Sequence, residues 1–317
     1  MTSVGIVIVT WNGLHDTLKC LTSLRHLTYS QWQAVVVDNA SQDGTSECIT
    51  EYFPEAHLIQ NDRNTGYVHA NNQGIRWLMA QGCQWILLLN NDVVMQPDSL
   101  TEMVRVGAEN PQIGVIGPLM ERTLRPDVVD MGGDLDFKWG RVLLQRCADQ
   151  PPVAENWLPI DYVWGCTLMA RRDVMENIGG LAPIYDAYFE DAELCLRAKK
   201  LGYLTAVALQ SNVIHAVGSS GEKRFLWQTY LRTRNHALFF MRFSQPRDWP
   251  TLLPSLFLWQ LPEIVGRSAA LYMARTLRRK KYATRPIKLW GYVPPERPTP
   301  TQIRAWLHEA GYFEGQP

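Results

Sequence analysis

Residues 4–12 read Val4-Gly5-Ile6-Val7-Ile8-Val9-Thr10-Trp11-Asn12. The run up to Val9 has no polar break, as a strand covered on both faces requires. No basic leader and no small-residue cleavage site accompany it, so it reads as a buried strand and not as a signal peptide. Working outward, Leu14 to Leu27 repeats apolar residues at helical spacing. Ala34-Val35-Val36-Val37 is a second strand and Thr45 to Phe53 a second helix. Ala56 to Gln60 fits a third strand, Gly66 to Met79 a helix, and Trp85-Ile86-Leu87-Leu88-Leu89 a fourth strand. Strands alternating with helices predict an α/β fold, a mostly parallel sheet with helices on both faces.

In such sheets ligands bind beyond the carboxyl ends of the strands. Here strand one ends in Thr10-Trp11-Asn12, strand two in Asp38-Asn39, and strand four in Asn90-Asn91-Asp92. One polar strand end is ordinarily the start of a loop. Three on one edge of an apolar sheet point to a site.

The 317 residues suffice for a full core without staples, since a chain of this size buries roughly 75% of its unfolded surface. The apolar fraction of 46% and charged fraction of 20% are those of an ordinary globular protein. Net charge is zero, which gives no ground for a nucleic-acid partner. The six cysteines are scattered, without metal-ligand spacing, and read as buried reduced thiols of a cytosolic protein.

Further along, residues 119 to 165 are less regular, and Gly132-Gly133 and Gly140 suggest hairpins. Cys166 to Ala170 reads as a short strand before a helix from Arg172 to Asn177. Phe189-Glu190-Asp191-Ala192-Glu193 opens another helix, whose acidic first turn suits the positive end of the helix dipole. Gly202 ends it, and Tyr203 to Leu209 is again a strand.

The last hundred residues change character. Phe225 to Phe243 is aromatic and basic at helical spacing. Thr251 to Leu277 is apolar but is broken by Pro254, Pro262, Glu263 and Arg267, so it falls short of the ~20 mainly apolar residues of a spanning helix. Ile264 to Pro295 carries eight Lys or Arg and no Asp or Glu. An apolar segment followed by Arg278-Arg279-Lys280-Lys281 fits an interfacial anchor on an anionic membrane, and equally a helical hairpin with a solvated basic end. The expected division is a catalytic domain over 1–220 and a helical extension over 221–317.

Six segments, in order, resemble the family 2 glycosyltransferases of the GT-A fold, and among them the bacterial rhamnosyltransferase-like cell-surface enzymes. They are Val7 to Asn12, Val36 to Thr45, Asn64-Thr65-Gly66-Tyr67, Leu88 to Asp92, Phe189 to Leu194, and His215-Ala216-Val217-Gly218-Ser219-Ser220. Each is weak alone; their order over residues 4 to 235 carries the likeness.

The resemblance implies roles. Asp38, with Thr10, Trp11 and Asn12 beside it, reads the nucleotide; its ordinary alternative is an Asx-turn or cap. Asp43-Gly44-Thr45 reads as such a turn. Asn64 and Gly66 lie near the nucleotide or simply lead into a helix. Asn90-Asn91-Asp92 occupies the place of an Asp-x-Asp motif, where Asp92 supplies one carboxylate to Mg²⁺ or Mn²⁺. Asn90 departs from that motif and brings no second charge. His215 is implied as a metal or diphosphate ligand through a neutral ring nitrogen. Arg234 is a diphosphate clamp or a solvated charge. Asp191 is implied as the base, Glu190 as the residue orienting the acceptor or loop, and Trp164-Gly165 as the acceptor side.

The expectation is therefore an inverting, metal-dependent glycosyltransferase of cell-surface polysaccharide synthesis. It moves a hexose, with L-rhamnose from dTDP-rhamnose leading, from a nucleotide diphosphate-sugar to a glycan or lipid-linked acceptor. It would work in the cytoplasm or peripherally at the inner face of the plasma membrane. The alternatives are a UDP-sugar-dependent hexosaminyl- or galactosyltransferase and a catalytically silent glycan-binding or scaffold protein. Oligomeric state is open.

Overall fold

The computed structural model describes residues 2–123, 125–147, 156–216, 225–282 and 297–314. Strand β1 (Val4–Thr10) is central, with β2 (Trp32–Asp38) on one side and β4 (Trp85–Asn90) on the other, both parallel to it. β3 (His57–Gln60) extends this half beyond β2. Side chains of β1 alternate between two cores. Val7 joins the cluster under helix α3 (Tyr67–Ala80), while Ile6 and Ile8 join the cluster under α1 (Leu14–Arg25) and α2 (Thr45–Tyr52). Period-two alternation between two covered faces explains the unbroken apolar run.

Past β4 the sheet becomes mixed. Of the later elements, β5 (Val93–Met95), α4 (Ser99–Glu109) and β6 (Ile113–Arg122) follow β4 in the chain. β7 (Arg125–Asp136) and β8 (Arg141–Cys147) form the predicted hairpin, turning at Trp139-Gly140. β9 (Trp157–Ile160) is short, and β10 (Thr167–Arg171) lies antiparallel between β4 and β6. Helices α5 (Arg172–Ile178) and α6 (Glu190–Lys200) precede β11 (Leu204–His215), which pairs with β6, β5 and β9. The main strand order is β3-β2-β1-β4-β10-β6-β11-β5.

The helical C-terminal region packs back onto this sheet. α7 (Phe225–Phe243) contributes Phe239 and Phe240 to one core. α8 (Trp249–Ser255) continues through a π-helical turn, Leu256–Gln260, into α9 (Leu261–Tyr282). α10 (Pro300–Glu309) inserts Leu307 into the other core, and its Trp306 ring lies 4.9 Å from that of His15 on α1. The expected boundary at residue 220 falls in 217–224, outside the described residues, as does Gly218-Ser219-Ser220. The Arg278–Lys281 side chains and residues 283–296 also lie outside them. Cys20, Cys48, Cys83 and Cys195 are buried and unbridged, and burial pushes the Cys195 thiol up to about 12.

Candidate active site

Sheet register brings the carboxyl ends level: Thr10 pairs with Asp38, Asp38 with Gln60, and Val9 with Asn90. Asp38 is buried, and its Oδ1 accepts from the Ser41 N–H at 2.9 Å while Oδ2 accepts from the Ser46 hydroxyl. Its oxygens thus hold the β2–α2 turn. Asn12, at φ +53°, donates its N–H to Ser41 Oγ at 2.8 Å and accepts from Gln42 N–H at 2.7 Å. Thr10 Oγ1 lies 2.8 Å from Thr17 Oγ1, and Trp11 is half-buried beside them. Asp43 accepts from the N–H groups of Leu14 and Thr45, the turn and cap work read from Asp43-Gly44-Thr45.

Asn39 organises the next loop. Its Oδ1 accepts from Asn61 Nδ2, Thr65 N and Thr65 Oγ1, and its Nδ2 donates to Asn64 Oδ1 and Gly66 O at 3.2 Å each. Asn64 Oδ1 also accepts from Gly66 N at 2.9 Å. Gly66 sits at φ +88°, and a Cβ there would lie 2.1 Å from Asp186 Oδ1. Only glycine satisfies both constraints.

At the end of β4 the three residues diverge. Asn90 Oδ1 accepts from the Tyr67 hydroxyl at 2.9 Å. Asn91 turns toward the first loop, donating to Thr17 Oγ1 at 3.0 Å. Asp92 is buried, with Oδ1 3.2 Å from His215 Nε2. Strands β5 and β11 make this meeting, because Val93 pairs with His215.

The second carboxylate group lies at the start of α6. Asp191 Oδ2 accepts from Gly165 N–H at 2.9 Å and Oδ1 from Ala192 N–H at 2.8 Å. A Cβ on Gly165 would come within 3.0 Å of the Asp191 Cβ, so glycine permits the close approach. Burial raises the Asp191 pKa, against the lowering effect of these N–H donors. Glu190 is pushed well above the usual range, by burial first and by the Asp191 charge next. Its Oε2 is buried without a hydrogen-bond partner. Burial thus opposes ionisation at both carboxyls.

Tyr67 joins the two groups. Its hydroxyl lies 2.9 Å from Asn90 Oδ1 and 3.2 Å from the Gly165 carbonyl. Asn90 is two residues from Asp92, and Gly165 holds Asp191. Burial keeps the phenol un-ionised, its pKa well above the ordinary value. Burial first, and the charges of Asp92 and Asp191 next, push the Cys166 thiol up to about 12. Trp164 is half-buried, edge-on to Tyr162 with centroids 5.8 Å apart. The Arg122 guanidinium lies 5.6 Å from its ring centroid, and Arg122 is the register partner of His215.

Before α6 the chain is contorted: Asp186, Tyr188 and Phe189 all have positive φ, 62–71°. Left-handed backbone at non-glycine residues is costly and persists where surroundings enforce it. Asn235 on α7 enforces it, donating Nδ2 to the carbonyls of Tyr185 and Ala187 at 2.7 Å and Tyr188 at 2.9 Å. Arg234 bonds the Ile184 carbonyl and the Asn235 side chain.

The sequence profile described as glycosyl transferase family 2 matches residues 5–179. The chain belongs to glycosyl transferase family 2. Among curated relatives of this family 2 chain, the N-acetylglucosaminyl-diphospho-decaprenol L-rhamnosyltransferase of Mycobacterium tuberculosis is 27% identical over 229 residues, 66% of this chain and 75% of that protein. The dTDP-rhamnosyl transferase RfbF of Shigella flexneri is 22% identical, over 70% of this chain and 71% of its own. Among solved structures, the mannosyltransferase PcManGT of Pyrobaculum calidifontis, in complex with GDP-Man and Mn²⁺, superposes with a TM-score of 0.55 at 18% identity, covering 98% of this chain and 86% of that one. GalNAc-T7 with UDP, GalNAc and Mn²⁺ superposes at TM-score 0.55 and 16% identity, over 69% of this chain; the match spans 44% of that longer chain. The fold is therefore GT-A, with a helical C-terminal region.

For a family 2 chain the donor set matters. Among the described residues no cluster of three or more His, Cys, Asp or Glu is poised for a metal. Asp92 and His215 offer one hard oxygen and one imidazole nitrogen. That pair fits a divalent cation that completes its shell with diphosphate oxygens and water. Asn39 and Tyr67 lay inside the quoted motifs but were given no role of their own, and Asn235 and Arg122 lie outside those motifs.

Proposed function

We propose that this family 2 chain is an inverting, metal-dependent hexosyltransferase of cell-surface polysaccharide synthesis. The donor is dTDP-L-rhamnose, and the acceptor is a hydroxyl of a lipid-linked glycan at the cytoplasmic face of the membrane. Two relatives named as rhamnosyltransferases, one of them for a decaprenol-linked sugar, support the donor and acceptor classes. The reading is carried by one hydrogen-bonded chain: Asp191 to Gly165, Gly165 to Tyr67, and Tyr67 to Asn90, two residues before Asp92. It ties a basic carboxylate to the diphosphate end of the site.

In this reading Asp191 takes the proton of the acceptor hydroxyl. The hydroxyl oxygen bonds to the anomeric carbon as the bond to the leaving diphosphate breaks on the opposite face, and configuration inverts. The two N–H donors on Asp191 fix its orientation and favour its ionised form. Glu190, buried beside it, orients the acceptor. The β1 and β2 ends, with Thr10, Trp11, Asn12 and Asp38, and the Asn64–Gly66 loop receive the nucleotide; Trp164 and Gly165 line the acceptor side. Asp92 and His215 would hold a divalent cation, which would supply positive charge to the leaving diphosphate. Arg234 bonds a loop carbonyl through Nη2, and its guanidinium has five N–H donors, so the diphosphate-clamp reading stands beside that contact.

Asp191→Asn tests this. The variant should lose about 10²–10⁴-fold in kcat while binding dTDP-rhamnose as before. Undiminished turnover removes Asp191 as the base. Tight selectivity of the wild type for a UDP-sugar overturns the rhamnose assignment. Donor binding without any transfer to lipid-linked acceptors favours a silent glycan-binding protein.

A further inference from the structure

The molecule exposes a run of large apolar residues on the turn between α8 and α9. Phe257, Leu258 and Trp259 are consecutive on the π-helical turn and are 57%, 65% and 61% exposed. On a regular α-helix three successive residues span about 200° of the circumference. Here Leu256 alone enters the core, and the next three all face out. Pro262 explains the widened turn: it has no N–H for the Leu258 carbonyl, and the Leu261 N–H bonds instead to Leu256 O, five residues back.

This ridge is continuous with the β7–β8 hairpin. Trp139, Leu143 and Trp259 line one cleft of about 410 Å³, and Trp139 and Leu143 are themselves exposed. The same cleft is edged by Arg141 and Arg267, with Glu263 neutralised by Arg267. Val265, one turn further along α9, extends the exposed face. An apolar surface of this kind on a soluble-looking fold marks an interaction site.

The charge pattern selects the occupant. From Ile264 to Pro295 the chain carries eight cations and no acid, while the protein as a whole is neutral. Among the described residues no helix is long and apolar enough to cross a membrane. Indoles and aliphatic side chains edged by Arg141 and Arg267, in a chain whose following stretch is cationic in sequence, suit the boundary between headgroups and acyl chains of an anionic leaflet.

We infer that the face formed by Trp139, Leu143, Phe257, Leu258, Trp259 and Val265 docks the enzyme on an anionic lipid bilayer, with the Phe257-Leu258-Trp259 ridge entering the interface. The inference rests on the proposed membrane-presented acceptor. Its test needs neither donor nor acceptor, so the two ideas fail separately.

The test is sedimentation of the full chain with vesicles of phosphatidylcholine alone or mixed with phosphatidylglycerol, together with tryptophan emission. The wild type should bind the mixed vesicles, bind less as salt rises, and shift its emission to the blue. The triple variant Phe257→Ser, Leu258→Ser, Trp259→Ser should lose about a hundredfold in partitioning while keeping its circular dichroism spectrum. The single variant Leu258→Glu should lose binding in the same direction and guards against misfolding of the triple. Equal binding by wild type and both variants overturns the inference, as does failure of the wild type to bind mixed vesicles. A salt-insensitive dimer of the wild type that dissociates in the variants, without vesicle binding, overturns it in favour of a second copy of this chain.

Discussion

Asp191 receives two backbone N–H bonds and yet titrates above an ordinary aspartate, because burial outweighs them. Beside it, Glu190 is pushed well above its ordinary range, by burial first and by the Asp191 charge next. A base must be ionised to work. In the proposed reaction, kcat/KM should therefore fall as pH drops through an apparent pKa above the ordinary carboxylate value of about 4. A rate profile measured on one donor that stays flat down to about pH 4 would contradict the assignment. Asp191 stood out in the sequence through the family resemblance, since two acids at a helix start are ordinary by themselves. Tyr67 did not, since a tyrosine leading a helix is ordinary until its hydroxyl is seen between Asn90 and Gly165.

At the scale of elements, the contorted segment before α6 depends on α7. One Asn235 side chain serves three carbonyls of residues 185–188. Asn235→Ala leaves buried acceptors unmet, which costs about 1–3 kcal/mol for a buried polar group. Urea unfolding should show a loss of that order, and the acceptor KM should rise as the start of α6 loosens. A variant with wild-type stability and KM would show that the strained loop holds itself. Strands β1, β2 and β4 were legible because burial on both faces writes an uninterrupted apolar run. Strand β6 was not, because Gly114, Gly117 and Pro118 break its run, and the antiparallel insertion of β10 between β4 and β6 leaves no local mark.

Over the whole molecule, the buried carboxyl pair makes stability depend on pH. A carboxyl with a higher pKa in the folded chain than in the unfolded one binds more protons when folded. Stability then falls as pH rises from the unfolded value, about 4, through the folded one. Both Glu190 and Asp191 shift in that direction. Glu190→Gln should accordingly be more stable than the wild type at neutral pH, with the gain shrinking as pH falls from the folded pKa and nearly gone by about pH 4. Denaturation midpoints at the two pH values measure this, and a gain independent of pH would refute it. The C-terminal region shares in the same fold: α7 and α8 fill one core and α10 the other.

Local periodicity and strand-end chemistry sufficed to establish an α/β sheet and the polar edge it presents, and six ordered segments carried the resemblance to family 2 glycosyltransferases. Strand-end position marked Asp38 and Asp92, while Asp191 was singled out through the resemblance. What they left open needed strand order. Asp92 and His215 are 123 residues apart and meet only because β5 and β11 are neighbours. Asp38 turned out to bond its own turn, and Arg234 a loop carbonyl, because side-chain direction follows packing around each group. The exposure of Phe257, Leu258 and Trp259 likewise needed the fold, since an apolar run reads the same whether a core covers it or not.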